Sequence, residues 1–405
     1  MVDSDIVASL DIGATKICAA VGRIDERKRI NVIGIGCSPP LGLEGGIVVD
    51  VELLTDSIDK AVTEAQDVAG VEVDSVFTGV AQTNFRGVNS RGVVSIPGAN
   101  REINSRDVKR VVEVAKVVAM RTAQESVQEL VQEFIVDGQR GIKNPVGMYG
   151  LKLEAGVYIV TGKLSSFLKT MIECIKNTGL RVEGIILEPI AGSDAVVTPS
   201  EKKAGVLLVD LGGETTCVAV FEGGNLIRAR VLAVGGDEIS GDIASRFHIS
   251  EPVAEKVKRD YGCAIASSAG EGEVEVPGSE GAKISRRSLA EVIERRAGEI
   301  LVLIKREIEG TRFPQGMGES IVLTGGGVLL EGITELTSRK FNLPVRVGKP
   351  DGRIGQWGRV INSPVYSTAI GMLPGGMKER ELLKMSSLGW HDPFIKVRSW
   401  FREFF

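Results

Sequence analysis

The feature that most constrains this chain is a pattern that occurs twice. Gly205 to Val220, GVLLVDLGGETTCVAV, is an apolar run of strand length that ends in Asp210, turns through Gly212 and Gly213 into Thr215 and Thr216, and returns as a second β-rich run. Ala8 to Val21, ASLDIGATKICAAV, aligns with Leu207 to Val220 without a gap and sets Asp11 against Asp210, Gly13 against Gly212 and Cys18 against Cys217. Glycines at such a turn let a backbone approach a ligand, so that its N–H groups and nearby hydroxyls can cradle phosphate oxygens. A carboxylate at the end of the first strand can then hold a hydrated Mg²⁺ against those phosphates. One such segment is equally well an ordinary hairpin. Two of them imply two related halves facing one nucleotide. A third glycine turn, Gly325-Gly326-Gly327 after the apolar run from Ser320, would suit the sugar or base end of the same ligand.

Together the three motifs resemble those of the actin, Hsp70 and sugar-kinase ATPase superfamily. The resemblance implies an α/β, actin-like fold: duplicated ribonuclease H-like domains around a nucleotide cleft, with ATP and Mg²⁺ as cofactors. It assigns phosphate contacts to Asp11, Gly13, Ala14, Thr15 and Lys16 in the first hairpin and to Asp210, Gly212, Gly213, Glu214, Thr215 and Thr216 in the second. Asp11 and Asp210 would hold Mg²⁺ through water.

At 405 residues the chain is long enough for about two to three domains. Its net charge of −4 is spread over interspersed signs, with no basic stripe, so no nucleic-acid partner is expected. With only His248 and His391 as histidines, a His-based triad or metal cluster is not expected. Five cysteines without a C-x-x-C spacing fit reduced, mostly buried thiols. The N-terminus enters a strand without a signal peptide, and no apolar run approaches the roughly 18 residues of a span, so a cytosolic start is expected.

Along the chain, Ile30–Ile35, Ile47–Val51 and Val71–Val76 read as strands, and Leu53–Ala69 as a helix with Leu54, Ile58, Ala61 and Val62 on one face. From about Phe85 the character changes. A β segment, Gly92–Pro97, precedes a helix capped by Asn104 or Ser105 with Val108, Val111, Val112, Ala115, Val118 and Ala119 on its apolar face. Val127, Leu130, Val131 and Phe134 repeat a helical spacing and predict a second helix. The turn-rich VDGQRGIKNPVGMYG (Val136–Gly150) then leads to a strand, Val157–Thr161. As physics this is a surface loop. Its residues Gly138, Gln139, Gly141, Ile142, Asn144, Pro145, Gly147 and Met148, however, resemble a run typical of the small subdomain of FtsA, the bacterial cell-division actin, and the resemblance spans essentially the whole chain.

On that resemblance the expected division is residues 1–83 with 163–200 and 361–380 as subdomain 1A, 84–162 as the FtsA-specific subdomain 1C, 201–232 with 313–360 as 2A, 233–312 as 2B, and 381–405 as a linker and terminal helix. Ser165–Asn177 reads as a helix and Val182–Leu187 as a strand running into Glu188-Pro189. Glu188 is either the carboxylate that orients the attacking water, as in the Hsp70-like ATPases, or a helix-start carboxylate stabilised by the dipole. Gly235 and Gly236 open a helix whose N-terminus could face phosphate. Glu255, Lys258 and Arg259 resemble the adenine–ribose clamp of Hsp70; by charge alone they are solvated surface. Ser267–Ile284 reads as a loop-hairpin around one short strand, Glu273–Val276, and Ser288-Leu-Ala-Glu291 reads as a capping box before a long helix.

On that helix Leu289, Val292, Ile293, Ile300, Leu303 and Ile304 form a stripe that also contains Arg296. An arginine there must pair, for instance with Glu299, or meet a partner. The FtsA resemblance offers the second alternative, with Arg296 and Glu299 receiving the C-terminal peptide of FtsZ, the division tubulin. Met377–Gly389 reads as a loose linker. In the tail, a helix from Phe394 places Phe394, Val397, Trp400, Phe401, Phe404 and Phe405 on one face with Lys396, Arg398 and Arg402 flanking it, the pattern of a helix lying in a membrane interface. The competing reading is a helix docked on its own domain.

The expected whole is an ATP-binding protein with at most weak ATPase activity that polymerises and anchors FtsZ filaments to membrane lipids at the division site, on the cytoplasmic face of the inner membrane, and recruits later divisome proteins. The alternatives are another actin-like membrane adaptor of the PilM type, or a sugar-kinase-type phosphotransferase, for which no acceptor-activating carboxylate can be nominated.

Overall fold

Two five-stranded sheets repeat one strand order in a computed structural model of the protein, which describes residues 5–98, 100–120, 125–162, 166–278, 281–309, 320–350 and 362–387. In the first half, β1 (Ile6–Ile12), β2 (Ile17–Ile24) and β3 (Ile30–Ser38) follow one another antiparallel. A small hairpin of β4 (Leu43–Glu44) and β5 (Ile47–Val48) leads into α1 (Val51–Ala69). Asp50 caps α1 by accepting from the Leu53 N–H, and Gly70 ends it in the left-handed region. The face it buries carries Leu54, Ile58, Ala61, Val62 and Ala65, at the three-and-four spacing read from the sequence. The chain returns as β6 (Ser75–Val80), parallel to β1. That strand starts four residues later than predicted, because the Val73 N–H is taken by the Gln66 side chain at 2.6 Å.

A separate four-stranded sheet follows, formed by β7 (Arg86–Ser95), β8 (Glu125–Val136), β9 (Gln139–Ile142) and β10 (Lys152–Gly162) in the order β7-β10-β8-β9, with α2 (Ser105–Ala119) packed on it. Asn104 and Asp107 form a capping box at the start of α2. Its buried apolar side chains are Val111 and Ala115, whereas Val118 is exposed. The helix predicted over Val127–Phe134 is strand β8. Two register shifts against β10, at Gly156/Val157 and Val160/Thr161, each insert a residue and reset the two-residue alternation, which produces helical spacing in an extended segment. Next come α3 (Ser166–Asn177), β11 (Arg181–Leu187), α4 (Glu188–Val196) and α5 (Pro199–Ala204), with β11 parallel to β6.

The second half repeats the plan with β12 (Val206–Leu211), β13 (Thr216–Glu222) and β14 (Asn225–Leu232). α6 (Gly236–Phe247), α7 (Glu251–Tyr261), a hairpin of β15 (Glu273–Glu275) and β16 (Lys283–Ser285), and α8 (Arg286–Ile308) intervene before β17 (Ser320–Thr324), α9 (Ile333–Phe341) and β18 (Val345–Val347). The two sheet orders, β3-β2-β1-β6-β11 and β14-β13-β12-β17-β18, are the same path walked twice.

The loop-hairpin expected around Glu273–Val276 is β15 paired antiparallel with β16. α8 begins earlier than the Ser288 box: Ser285 is its cap and accepts from the Ser288 N–H, while Glu291 pairs with Arg287. The halves meet across α4 and α10 (Ser367–Ser387), and Ser9 of β1 donates to the Ala369 carbonyl at 2.6 Å. The linker predicted from Met377 is a continuation of α10 as far as Ser387. Trp390–Phe405, with Phe394, Val397, Trp400, Phe401, Phe404 and Phe405, lies outside the described residues.

Candidate functional site

The two repeated segments fold as matched hairpins whose tips face each other. Asp11 is the penultimate residue of β1, opposite Cys18, and Asp210 the penultimate residue of β12, opposite Cys217. The Gly13 N–H donates to the Lys16 carbonyl at 3.0 Å, and the Gly212 N–H donates to the Thr215 carbonyl at 2.9 Å, so both turns close with the same bond. A Cβ on Gly213 would stand 2.6 Å from Thr15 Cγ2, a contact only glycine permits.

Three carboxyl groups and one ammonium gather between the hairpins. Lys16 Nζ lies 3.9 Å from a buried Asp11. Thr368, at the start of α10, donates its hydroxyl to Asp210 at 2.9 Å. Glu188 opens α4, its carboxylate 4.0 Å from the Cys217 sulfur, while Gly79 of β6 leaves room for its stem. Burial pushes Glu188 well above the usual carboxylate range, with the charges of Asp11 and Asp210 adding to it. Burial likewise raises Asp210 to about 6 and raises Asp11 against the pull of Lys16. Buried carboxyls in this excess are costly unless cations meet them. Among the described residues no three His, Cys, Asp or Glu are placed to ligate a metal directly. The donor set therefore fits a hydrated divalent cation shared with phosphate oxygens, rather than a cation caged by protein.

The remaining predicted residues divide. Gly325, at φ 86°, tucks under Asp210: a Cβ there would meet its Oδ1 at 2.2 Å, and one on Gly327 would meet Leu211 Cβ at 2.8 Å. Gly326 continues the turn as a short 3₁₀ segment. The first amides of α6 are already used. Gly235 donates to Glu238 at 2.7 Å, and Gly236 and Asp237 donate to the Gly212 and Gly213 carbonyls at 2.9 and 3.0 Å. They brace the second hairpin instead of pointing open N–H groups at the cleft. Lys258 reaches back to the Gly236 carbonyl at 2.7 Å and to Glu255 at 2.5 Å, Glu255 accepts from Ser240, and Arg259 is exposed. An apolar cavity of about 30 Å³ separates Gly236 and Gly327, the room of a single water.

Glu214 leans across to the first half, where the Gly45 and Gly46 amides of the β4–β5 turn hold its carboxylate. Burial, with Asp237 nearby, raises its pKa against that support. Thr368, Gly45 and Gly46 carry no local signature in the sequence: each is defined by a partner far away in the chain.

A second feature lies on the outer side of α8. A groove of about 600 Å³ is lined by Arg296, Glu299, Ile300, Leu303, Arg306 and Leu336, among others. Arg296 makes a two-pronged contact with Asp242 of α6, at 2.7 and 2.8 Å, and a third with Glu299 at 2.8 Å. The pairing with Glu299 is thus present, but the stronger geometry is with Asp242, whose carboxyl Arg296 holds below the usual range. Leu303, placed on the apolar stripe, is instead 40% exposed at this groove.

Duplicated sheets, paired hairpins and a carboxyl-lined cleft define the actin-like ATPase fold. The chain shares that fold with the solved PilM–PilN type IV pilus biogenesis complex (TM-score 0.64, 17% identity, 92% of this chain and 98% of that one) and with MreB5 of Spiroplasma citri bound to ADP (TM-score 0.54, 16% identity, 93% and 99%). Within it, residues 207–371 match the family described as Cell division protein FtsA, and residues 83–161 match the SHS2 domain inserted in FTSA. The Cell division protein FtsA of Pseudomonas aeruginosa is 38% identical over 390 residues, covering 95% of this chain and 92% of that one. The chain belongs to the FtsA family of bacterial cell-division proteins.

Proposed function

We propose that this cell-division protein binds ATP with Mg²⁺, assembles with copies of itself, and tethers FtsZ filaments to the cytoplasmic face of the inner membrane at the division site, where it recruits later division proteins. The observation that carries the nucleotide reading is that Asp11 and Asp210, near the tips of two matched hairpins, and Glu188, at the start of α4, come close together. Mg²⁺, when bound, would supply the charge neutralisation that brings terminal phosphates next to these carboxylates. Lys16 and the hairpin amides would take phosphate oxygens, and Glu188 would orient a water at its carboxyl oxygens. Glu214, tied to Gly45 and Gly46, does not supply positive charge at the terminal phosphate, which fits binding with weak turnover.

Within this reading the chain divides as 1–83 with 163–200 and 361–380, 84–162, 201–232 with 313–360, 233–312, and a terminal segment 381–405; the two five-stranded sheets and the separate four-stranded one support that division. The cationic, partly apolar groove at Arg296 suits a peptide carrying both acidic and apolar side chains, as the FtsZ C-terminal peptide is proposed to be here. Asp11→Ala and Asp210→Ala should each weaken Mg-ATP binding at least about tenfold, the effect of losing roughly 1.4 kcal/mol, whereas Lys349→Ala, at an exposed position, should not. Unchanged affinity in both aspartate variants would remove the reading.

A further inference from the structure

The first hairpin carries a second chemistry that nucleotide binding does not use. Strand register sets Asp11 opposite Cys18 and Cys18 opposite Cys37, one row across β1, β2 and β3. Directly opposed residues of antiparallel strands point to one face, with Cα atoms about 4.5 or 5.5 Å apart depending on the type of pair. Both spacings fall inside the roughly 4.4–6.8 Å that a disulfide spans. The two side chains share one hydrophobic cluster, Cys18 within it and Cys37 packed against it. Cys18 is fully buried, whereas Cys37 is only partly so and lies on the outermost strand of its sheet. The Cys37 N–H donates to Glu64 at 2.7 Å, which fixes the backbone from which its thiol projects. The other three cysteines are buried in separate places, each against an oxygen: Cys174 at the Val51 carbonyl, Cys217 at Glu188 and Cys263 at the Ile265 carbonyl.

We propose that Cys18 and Cys37 are a redox-responsive dithiol that a low-molecular-weight disulfide oxidises to an intrachain bridge. The deprotonated Cys37 sulfur attacks one sulfur of the small disulfide. That S–S bond breaks, one small thiol leaves with the proton, and a mixed disulfide remains on Cys37. Cys18 then attacks the Cys37 sulfur, the mixed S–S bond breaks, and the second small thiol leaves with the Cys18 proton. Two electrons pass from the protein dithiol to the small disulfide, which ends as two thiols. Cys37 is the attacking residue because it can be reached, and Cys18 is the resolving one because it is opposed in register and shielded.

The test uses the full chain, oxidised glutathione, intact mass and non-reducing peptide mapping. The wild type should lose the mass of two hydrogens and yield one cross-linked peptide pair containing Cys18 and Cys37. Cys18→Ala should stop at a glutathione adduct on Cys37, and Cys37→Ser should stay unmodified under the same conditions. A lasting glutathione adduct as the wild-type end product, no reaction, a bridge through another cysteine, or equal modification of Cys37→Ser would each overturn the proposal. Cys263→Ser, in the other half, should oxidise as the wild type does, and its failure to do so would also count against the pair.

Discussion

Asp210→Asn separates the cost of the site from its use. Burial lifts the Asp210 carboxyl from its ordinary 3.8 to about 6. The folded state therefore holds this proton more tightly than the unfolded chain does. Between about pH 4 and pH 6 the folded protein keeps a proton that the unfolded chain has released, so stability falls as pH rises through that window and is level above it. At pH 7 the full penalty is present, about 3 kcal/mol at one pKa unit per 1.36 kcal/mol. Partial access from the cleft and coupling to Asp11 reduce this to about 1–2 kcal/mol. Asn cannot ionise, and its carbonyl can still accept from Thr368, so the variant should be more stable than wild type at pH 7, by about 2–8 °C in the midpoint of a unit of this size. The gain should vanish near pH 4. The same variant should lose most of the Mg-ATP stabilisation, which for the wild type is about 2.7 kcal/mol at a hundredfold excess over Kd. Thermal scans at pH 4 and pH 7, with and without Mg-ATP, read both effects. A variant less stable than wild type at pH 7, or one with an undiminished Mg-ATP shift, would refute the reasoning.

Glu214→Gly should release the Gly45–Gly46 turn and remove a carboxylate near the terminal phosphate. Faster proteolysis around Gly45 is expected, together with turnover raised from a wild-type rate well below about 10 per second; an unchanged phosphate-release rate would count against the assigned position. Arg296→Glu should abolish binding of an FtsZ tail peptide, by titration, while Mg-ATP binding is kept; it also sets three carboxylates together with Asp242 and Glu299, so loss of the folded state by circular dichroism would make the arginine a structural pair instead. Trp400→Glu should eliminate sedimentation with anionic liposomes without affecting Mg-ATP binding, and retention on liposomes would favour a helix docked on its own domain.

What could be read from the sequence was the chemistry that repeats. Asp11 and Asp210 were legible because two local patterns align, and each depends only on a strand end and a glycine turn. β8 was not legible, because its two bulges turn alternation into the spacing of a helix, and a bulge depends on the partner strand. The role of the α6 amides was equally hidden: Gly235 and Gly236 look like an open helix start until the Gly212 and Gly213 carbonyls are found on them. Arg296 stands out in the sequence as an exception on its own helix face, yet its main partner, Asp242, lies on another helix that no spacing rule reaches. Local signals located the cleft, and long-range pairing decided which of its atoms are free.

The most direct test of the proposed adaptor is co-sedimentation of FtsZ with anionic liposomes in the presence of this chain, with and without Mg-ATP. FtsZ should reach the liposome pellet only when the chain is present, and in larger amount with Mg-ATP, because assembly presents many weak tails at once. FtsZ left in the supernatant while the chain itself is pelleted, or recruitment indifferent to Mg-ATP, would contradict the account.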